Sequence, residues 1–315
     1  MQVTVNPALL DRFNGALDAL PVSDGDRILC AVSGGPDSLA LLLLLQQAWP
    51  DRVVAATVDH RLRPESAKEA QYVQRICQEI GLPHVILTPT ETISGNVQSS
   101  ARAARYALLK QAAEQHDCAY IATAHHADDQ LETILMRLAR GSGVDGLSGI
   151  RSKNGNTLRP LLGFSKDELI AICANAGLVP VGDPSNENVD FERVAMRNWL
   201  ASTQHPFRTS RAGRTASAMA DASEALVWMT ELLAHERVQR DADAVTCDAS
   251  NVPHELKRRL LIHCLKLIEP ELAPRGDAID HLLAELSDRR TASMGNIKCE
   301  GGDNWRFTIA PPRRG

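Results

Sequence analysis

The sequence lacks paired cysteines, a membrane-length apolar run and a secretion signal. Its seven cysteines are scattered over 315 residues with no Cys-x-x-Cys pair, which argues against a zinc site or an iron–sulfur cluster and favours a reducing compartment. The apolar stretch 39–45 is too short to span a bilayer. No basic segment followed by an apolar run begins the chain. We therefore predict a cytoplasmic protein with no membrane association.

The chain also lacks a strong excess of either charge. The formal net charge is −5, with 23% charged and 44% apolar residues, which is typical of a soluble globular protein. This balance does not indicate a nucleic-acid-binding protein, so any such surface would have to be local. The length allows two domains and a substantial core.

One turn stands out between an apolar run and a leucine-rich segment, at residues 28–38. Its glycines allow backbone amides to approach a ligand, and a helix that begins at Pro36 would favour an anion. The lysine of the Walker pattern is missing. A carboxylate, Asp37, suits a phosphate site only if a divalent cation is also bound. The alternatives are a hydrolase nucleophile elbow and an ordinary turn.

Strands and helices alternate through the first half of the chain. This alternation predicts an α/β fold with a doubly wound parallel sheet, which binds ligands at the carboxyl ends of its strands. The turn at 33–38, Asp59 and His125 would all lie at that edge. Strands are predicted at 27–32, 53–58, 84–87 and 119–124, and helices at 7–20, 37–48, 65–80, 98–116 and 128–140.

The second half is less regular and predicts a smaller domain. Residues 141–190 are irregular apart from a helix at 166–176, and residues 199–214 show no clear periodicity. We predict a domain at 1–205 and a smaller, mostly helical domain at 206–315. The latter has helices at 213–239, 253–268 and 276–287 and two short strands within 292–311.

The densest polar stretch of the N-terminal half lies at 125–133. On the predicted helix, His125, Asp129 and Glu132 share one face. Their carboxylates suit Mg²⁺ better than zinc, and either could instead act as a base. The alternative is that the acidic residues only stabilise the helix N-terminus.

Two arginine-bearing segments could bind phosphate. Arg102 and Arg105 lie one helical turn apart, and either a surface role or a phosphate clamp fits them. Between residues 193 and 214 there are no acidic residues. This segment is either a solvated face or a track for a phosphate backbone. Its arginines are Arg193, Arg197, Arg208, Arg211 and Arg214.

The turn at 33–38 resembles the PP-loop of the ATP pyrophosphatases. Four further stretches are similar, in order, to segments of one family within them, the tRNA(Ile)-lysidine synthetases. They are residues 58–66, 101–106, 125–133 continuing into 140–143, and 183–186. Residues 191–193 with 196–197 are similar to a further segment of the family. The resemblance is dense over the first two hundred residues and loose beyond them.

This resemblance implies a bacterial cytoplasmic ligase that acts on the isoleucine tRNA with a CAU anticodon. The enzyme would use ATP and Mg²⁺ to adenylate C2 of the wobble cytidine. The amine of free L-lysine would then displace AMP to give lysidine. The sequence leaves a homodimer possible.

The resemblance also implies roles for individual residues. The phosphates would be held by Ser33, Gly34, Gly35, Pro36, Asp37 and Ser38. Mg²⁺ would be held by Asp37 and Asp129. The reacting groups would be surrounded by Asp37, Arg105, His125, Asp129 and Glu132. The tRNA would be held by the arginines from Arg193 to Arg214.

Three positions depart from the family pattern, at Arg61 in place of the usual glycine, at Val181 and at Val194. Two other functions compete with the ligase. They are a tRNA-thiolating PP-loop enzyme, which would commonly carry paired cysteines, and a nucleotide- or tRNA-binding protein without catalysis.

Overall fold

The structure is a computed structural model that describes residues 5–61, 65–89, 97–182, 192–274 and 276–310. Its contacts divide the chain into two compact units, Met1–Ala220 and Asp221–Gly315. This division falls within one long helix, α9 (Thr209–Arg237). The domain boundary that the sequence analysis placed at 205/206 lies earlier in the chain than this division, and it stays a prediction.

The N-terminal unit contains a six-stranded sheet in the order β3-β2-β1-β4-β6-β5. Strands β1, β2, β3, β4 and β6 are parallel, and β5 pairs with β6 in the antiparallel sense. The predicted α/β class is therefore confirmed. The strands are β1 (Arg27–Ala31), β2 (Val53–Val58), β3 (His84–Leu87), β4 (Cys118–Ala122), β5 (Lys153–Asn154) and β6 (Thr157–Leu158).

Helices cover both faces of this sheet because its central strands alternate their apolar side chains between two cores. Ile28 and Cys30 of β1 belong to the core around Leu39–Leu45 of the second helix, whereas Leu29 faces the core of the fourth. No helix within the described ranges is long and apolar enough to cross a membrane. The helices are α1 (Pro7–Asp18), α2 (Pro36–Ala48), α3 (Ser66–Glu79), α4 (Val97–Gln115), α5 (Ala127–Ala139), α6 (Val144–Leu147), α7 (Lys166–Asn175) and α8 (Glu192–Ser202).

The C-terminal unit combines helices with an antiparallel sheet of order β7-β8-β11-β10-β9. Trp305 and Phe307 of the sheet are fully buried in one core with Leu260 and Leu283. The sequence indicated the helices and the last strands, but not the full sheet. The elements are α10 (His254–Ile268), α11 (Gly276–Ser287), β7 (Val238–Arg240), β8 (Val245–Asp248), β9 (Thr291–Met294), β10 (Ile297–Glu300) and β11 (Asn304–Ile309).

Candidate active site

The turn between β1 and α2 forms a loop closed by its two serines. The backbone N–H of Ser33 donates to Oγ of Ser38 at 3.1 Å, and that hydroxyl donates to the carbonyl of Gly35 at 2.9 Å. Gly34 has a φ of +89°, which L side chains rarely adopt. The first amides of α2 have no acceptor within the helix. This loop can therefore present the N–H groups of α2 and the Ser33 hydroxyl to an anion, and the Ser38 hydroxyl could follow on leaving the Gly35 carbonyl.

A lysine reaches this loop from a distant part of the chain. Nζ of Lys166, at the start of α7, lies 2.7 and 2.8 Å from the two carboxylate oxygens of Asp37. Sequence reasoning missed Lys166 because 129 residues separate the partners and no local pattern marks it. The cation that the Walker pattern places in the loop thus comes here from a different helix.

His126 brings two predicted metal ligands together. Its Nε2 lies 3.7 Å from Oδ2 of Asp37 and 3.6 Å from Oδ2 of Asp129, so both carboxylates converge on one buried ring. Burial lowers the pKa of His126, but the hydrogen bond to Asp128 and the charges of Asp129 and Asp37 outweigh it and raise the pKa overall. The sequence placed His126 beside the site without a role.

His126 also begins α5. The backbone N–H of Asp128 lies 3.3 Å from Nδ1 of His126, while the backbone N–H of His126 donates to Oδ2 of Asp129 at 3.1 Å. This reciprocal pair is a capping box. The box directs Asp129 towards the loop at the start of the helix.

Glu132 is buried on the same helix and pairs with α8. Its two oxygens accept from Nε of Arg197 at 2.7 Å and from Nη2 at 3.2 Å. Arg193 donates to Oγ1 of Thr133 at 2.9 Å and lies 3.7 Å from Oδ1 of Asp129. The structure therefore places Arg193 and Arg197, predicted to hold tRNA, directly against the carboxylates of α5.

His125 follows β4 and lies at the carboxyl edge of the sheet. Its Nδ1 is 3.1 Å from Oγ1 of Thr123. Burial lowers the pKa of His125 to about 4, and the positive charges of Arg159, Arg102 and Arg193 act in the same direction against Asp129. The ring is thus neutral near pH 7 and can accept as well as donate a hydrogen bond.

Arg105 lies with Tyr106 and His60 rather than with the carboxylates of α5. Its guanidinium is 5.6 Å from the centre of the Tyr106 ring. Burial lowers the pKa of His60, and the charge of Arg105 acts in the same direction against that of Asp59. The Tyr106 hydroxyl and Nδ1 of His60 are buried without hydrogen-bond partners. Two unsatisfied polar atoms therefore lie in the neighbourhood of the Arg105 guanidinium.

The remaining predicted tRNA contacts lie near α9. The expectation of an irregular segment at 199–214 was wrong at both ends, because α8 continues to Ser202 and α9 begins at Thr209. Arg208, Arg211 and Arg214 are exposed. Beside them His205 stacks on Trp199, with ring centres 6.1 Å apart, and Phe207 lies 5.8 Å from His205. Basic and aromatic side chains thus share one exposed segment.

Some residues of the predicted family motifs lie outside the described ranges, namely 62–64, 183–186 and 191. Val181, one of the departures, is described, and its N–H donates to the carbonyl of Gly34 at 2.9 Å. The chain that leads into residue 183 is therefore attached to the phosphate loop.

In the described ranges, no group of three or more His, Cys, Asp and Glu side chains is placed to hold a metal ion. Asp37 and Asp129 offer only two convergent carboxylates. That number suits Mg²⁺, which is usually bound by one or two carboxylates together with substrate phosphates and water.

Comparisons with known proteins match nearly the whole chain. A family model described as a PP-loop domain matches residues 8–204. The chain is 39% identical over 313 residues to a tRNA(Ile)-lysidine synthase from Zymomonas mobilis, and 40% identical over 314 residues to one from Novosphingobium aromaticivorans. Each alignment covers 96% of this chain and 94% of the relative.

A solved structure shares the fold of about two thirds of the chain. It is a U34-tRNA thiolase from Methanococcus maripaludis with its 4Fe–4S cluster. The TM-score is 0.57 at 17% sequence identity, over 68% of this chain and 79% of that one. At this identity the likeness concerns the fold alone.

Proposed function

This chain belongs to the tRNA(Ile)-lysidine synthases of the PP-loop family, and from that premise we propose how its residues join lysine to tRNA. It is an ATP-dependent ligase that forms lysidine, AMP and pyrophosphate from the isoleucine tRNA, lysine and ATP. The reaction needs phosphate binding, an adenylated C2 of the wobble cytidine and a deprotonated lysine amine.

The proposal rests on one observation. The phosphate loop and the polar start of α5 meet at one sheet edge, where Asp37 and Asp129 both approach His126. Backbone amides of α2 and the hydroxyls of Ser33 and Ser38 bind the departing pyrophosphate, with Gly34, Gly35 and Pro36 shaping the loop. Lys166 lies where it can neutralise phosphate charge once it leaves Asp37.

Asp37 and Asp129 are the residues that would hold Mg²⁺. When bound, the ion neutralises phosphate charge and orients the α-phosphate for in-line attack. His125, at the carboxyl edge of the sheet, would contact the cytidine, and Arg105 would stabilise the developing charge. These assignments extend the family membership to individual residues.

The lysine amine must lose a proton before it attacks the adenylated carbon. Both oxygens of Glu132 already accept from Arg197, so Glu132 positions α8. Asp129, with Arg193 and Arg197 only at 3.7 and 3.8 Å, has more capacity for a new hydrogen bond. We therefore assign the proton to a water molecule held by Asp129, whose carboxylate stays available to Mg²⁺.

Labelled lysine tests the proposal directly. The protein is incubated with ATP, Mg²⁺, labelled lysine and bulk bacterial tRNA. We expect label only in the CAU-anticodon isoleucine tRNA, with one AMP released per lysine. An otherwise identical isoleucine tRNA with a GAU anticodon is the matched control. Absence of lysine-dependent label would disprove the proposed function.

A tRNA-thiolating activity is the rival that shares the fold. Burial raises the pKa of Cys77 and Cys299 to about 12 and that of Cys173 to about 11. Sulfur transfer needs a thiolate, and these three thiols are kept protonated. A hydrogen bond with Cys264 lowers the pKa of Cys247, but that thiol is fully buried. Sulfur incorporation into tRNA under the same conditions would favour the rival.

Two further predictions concern the oligomeric state and the location of the protein in the cell. A homodimer would show as a doubled mass in sedimentation velocity. A cytoplasmic location would show in cell fractionation.

A further inference from the structure

Arg159 is a buried arginine that the roles above do not use. It follows β6 directly and is 9% exposed. Its Nη1 donates to the carbonyl of Arg151 at 2.9 Å, while Nε is buried without any hydrogen-bond partner. In the described part of the chain, no carboxylate lies within ion-pair distance of it. A buried charge without a counter-charge is costly.

Arg159 lies close to the reacting groups. The carbonyl of Leu158, the preceding residue, accepts from the backbone N–H of Thr123 at 2.9 Å, and the hydroxyl of Thr123 contacts His125 at 3.1 Å. Parallel pairing of β4 and β6 therefore places Arg159 next to Thr123, two residues before His125, at the carboxyl edge. The positive charge of Arg159 accordingly lowers the pKa of His125.

The surroundings of His125 carry charges of both signs. Arg159 supplies a cation, and Asp129 of α5 supplies a carboxylate that raises the pKa of the same ring. A free amino acid with a basic side chain presents the complementary set, one carboxylate and two amines. Charge-assisted hydrogen bonds between such groups are short and strong.

We propose that Arg159 binds the α-carboxylate of the incoming lysine. This inference rests on the proposed function, since lysine is the substrate there. Burial favours a small ligand, because a phosphodiester backbone reaches exposed cations such as Arg208, Arg211 and Arg214. The carboxylate would supply the missing counter-charge and an acceptor for Nε. Lysine would then be oriented with its side-chain amine free to approach the cytidine.

Calorimetric titration tests this assignment without turnover. The full chain, with ATP and Mg²⁺, is titrated with L-lysine and with 1,5-diaminopentane, which is lysine without its carboxylate. The wild type should bind lysine about 10- to 100-fold more tightly than 1,5-diaminopentane, which is the range for a charged hydrogen bond. This factor is the lysine-to-diaminopentane ratio. In Arg159→Gln this ratio should fall to within about twofold of unity. Arg159→Lys, which keeps the charge, should restore part of it.

Arg151→Gln is the matched control, because it removes a neighbouring guanidinium while keeping the carbonyl that accepts from Arg159. Its ratio should equal that of the wild type. Lysine-independent pyrophosphate release from ATP and tRNA should stay within twofold in Arg159→Gln. That readout would fall if Arg159 were merely structural or bound phosphate.

Each outcome decides the assignment. An unchanged lysine-to-diaminopentane ratio in Arg159→Gln overturns it, as does an abolished pyrophosphate release with the ratio intact. A wild type that does not prefer lysine also overturns it. If Arg159→Gln does not fold, Arg159→Lys decides instead: a ratio between unity and the wild-type value supports the assignment, and a ratio equal to the wild-type value overturns it. Normal lysine preference without tRNA labelling would contradict the proposed function and leave this assignment standing.

Discussion

Asp37 shows how one carboxylate can define the chemistry of a phosphate loop. It lies in the first turn of α2, where an unneutralised carboxylate would repel phosphate. Here Lys166 pairs with it through both oxygens, and His126 lies 3.7 Å away. Under the proposed function, Asp37 would exchange Lys166 for Mg²⁺ when ATP binds.

We predict that Asp37→Asn abolishes catalysis but not folding. Pyrophosphate release should fall at least about 100-fold, because a neutral amide is a poor Mg²⁺ ligand. The pair with Lys166 is partly exposed, so its removal should change the free energy of unfolding by less than about 1 kcal/mol. Asp51→Asn, at an exposed position, is the control. Retained pyrophosphate release would place the metal site elsewhere.

Arg61 occupies the position where the family commonly has glycine, and the structure explains that preference. Its φ is +53°, in the left-handed region that costs a side-chain-bearing residue about 1 kcal/mol. The backbone N–H of Arg61 donates to Oδ1 of Asp59 at 2.9 Å, which helps hold this conformation. The presence of arginine instead of glycine at this position therefore strains the backbone.

Arg61→Gly should stabilise the protein. We expect the free energy of unfolding in urea to rise by about 0.5 kcal/mol, because relief of the strain exceeds the entropy that glycine adds to the unfolded chain. The same change at the exposed helical residue Arg75 should instead lower it by about 1 kcal/mol. Equal effects at both positions would contradict this explanation.

Helix α8 is attached to α5 by two arginine–glutamate pairs of different kinds. Arg197 pairs with Glu132, whose side chain is 3% exposed, whereas Arg140 of the α5 end pairs with the half-exposed Glu192. The burial of the glutamate determines how much each pair contributes to the free energy of unfolding. Removal of Arg197 leaves the buried carboxylate of Glu132 with only Arg193, at 4.0 Å, whereas water solvates Glu192 when Arg140 is removed.

Arg197→Ala should therefore destabilise the protein much more than Arg140→Ala. We expect losses of about 2–3 kcal/mol and less than about 1 kcal/mol, respectively, in urea unfolding. The double variant Glu132→Gln, Arg197→Ala should recover part of the first loss, since no buried charge remains. Similar losses for the two arginines would mean that Glu132 is solvated in solution.

On the scale of the whole molecule, the net charge of −5 leaves tRNA binding to local surfaces. The exposed arginines 208, 211 and 214 lie beside a cluster of aromatic rings. Arginines neutralise phosphates, and aromatic rings stack on unpaired bases. This segment is our candidate for contact with the tRNA.

Simultaneous replacement of Arg208, Arg211 and Arg214 by Ala should weaken tRNA binding in a salt-dependent way. For every phosphate that is no longer neutralised, the slope of log affinity against log salt should decrease by about 0.7–0.9. Replacement of Arg289, Arg290 and Arg306, which are paired with acidic residues in the C-terminal unit, removes the same charge and should change the slope little. Equal slopes would identify the first set as a solvated face.

The periodic elements were predictable because their signal is local. The apolar strands and amphipathic helices of the first half follow from sequence alone, and β2, β3 and α11 have the predicted bounds. The small antiparallel sheet was largely missed. Its short strands β7 to β9 carry few apolar residues, and tertiary pairing determines their conformation.

By itself, the sequence determined the α/β class, the phosphate loop and the set of candidate side chains, since each depends on residues within a few turns of one another. Only the tertiary structure decided which of them meet. It joined Lys166 to Asp37 and Arg197 to Glu132, and it placed Arg159 next to Thr123, two residues before His125. These contacts span tens of residues and depend on strand order and on the packing of α8, for which no local pattern provides a signal.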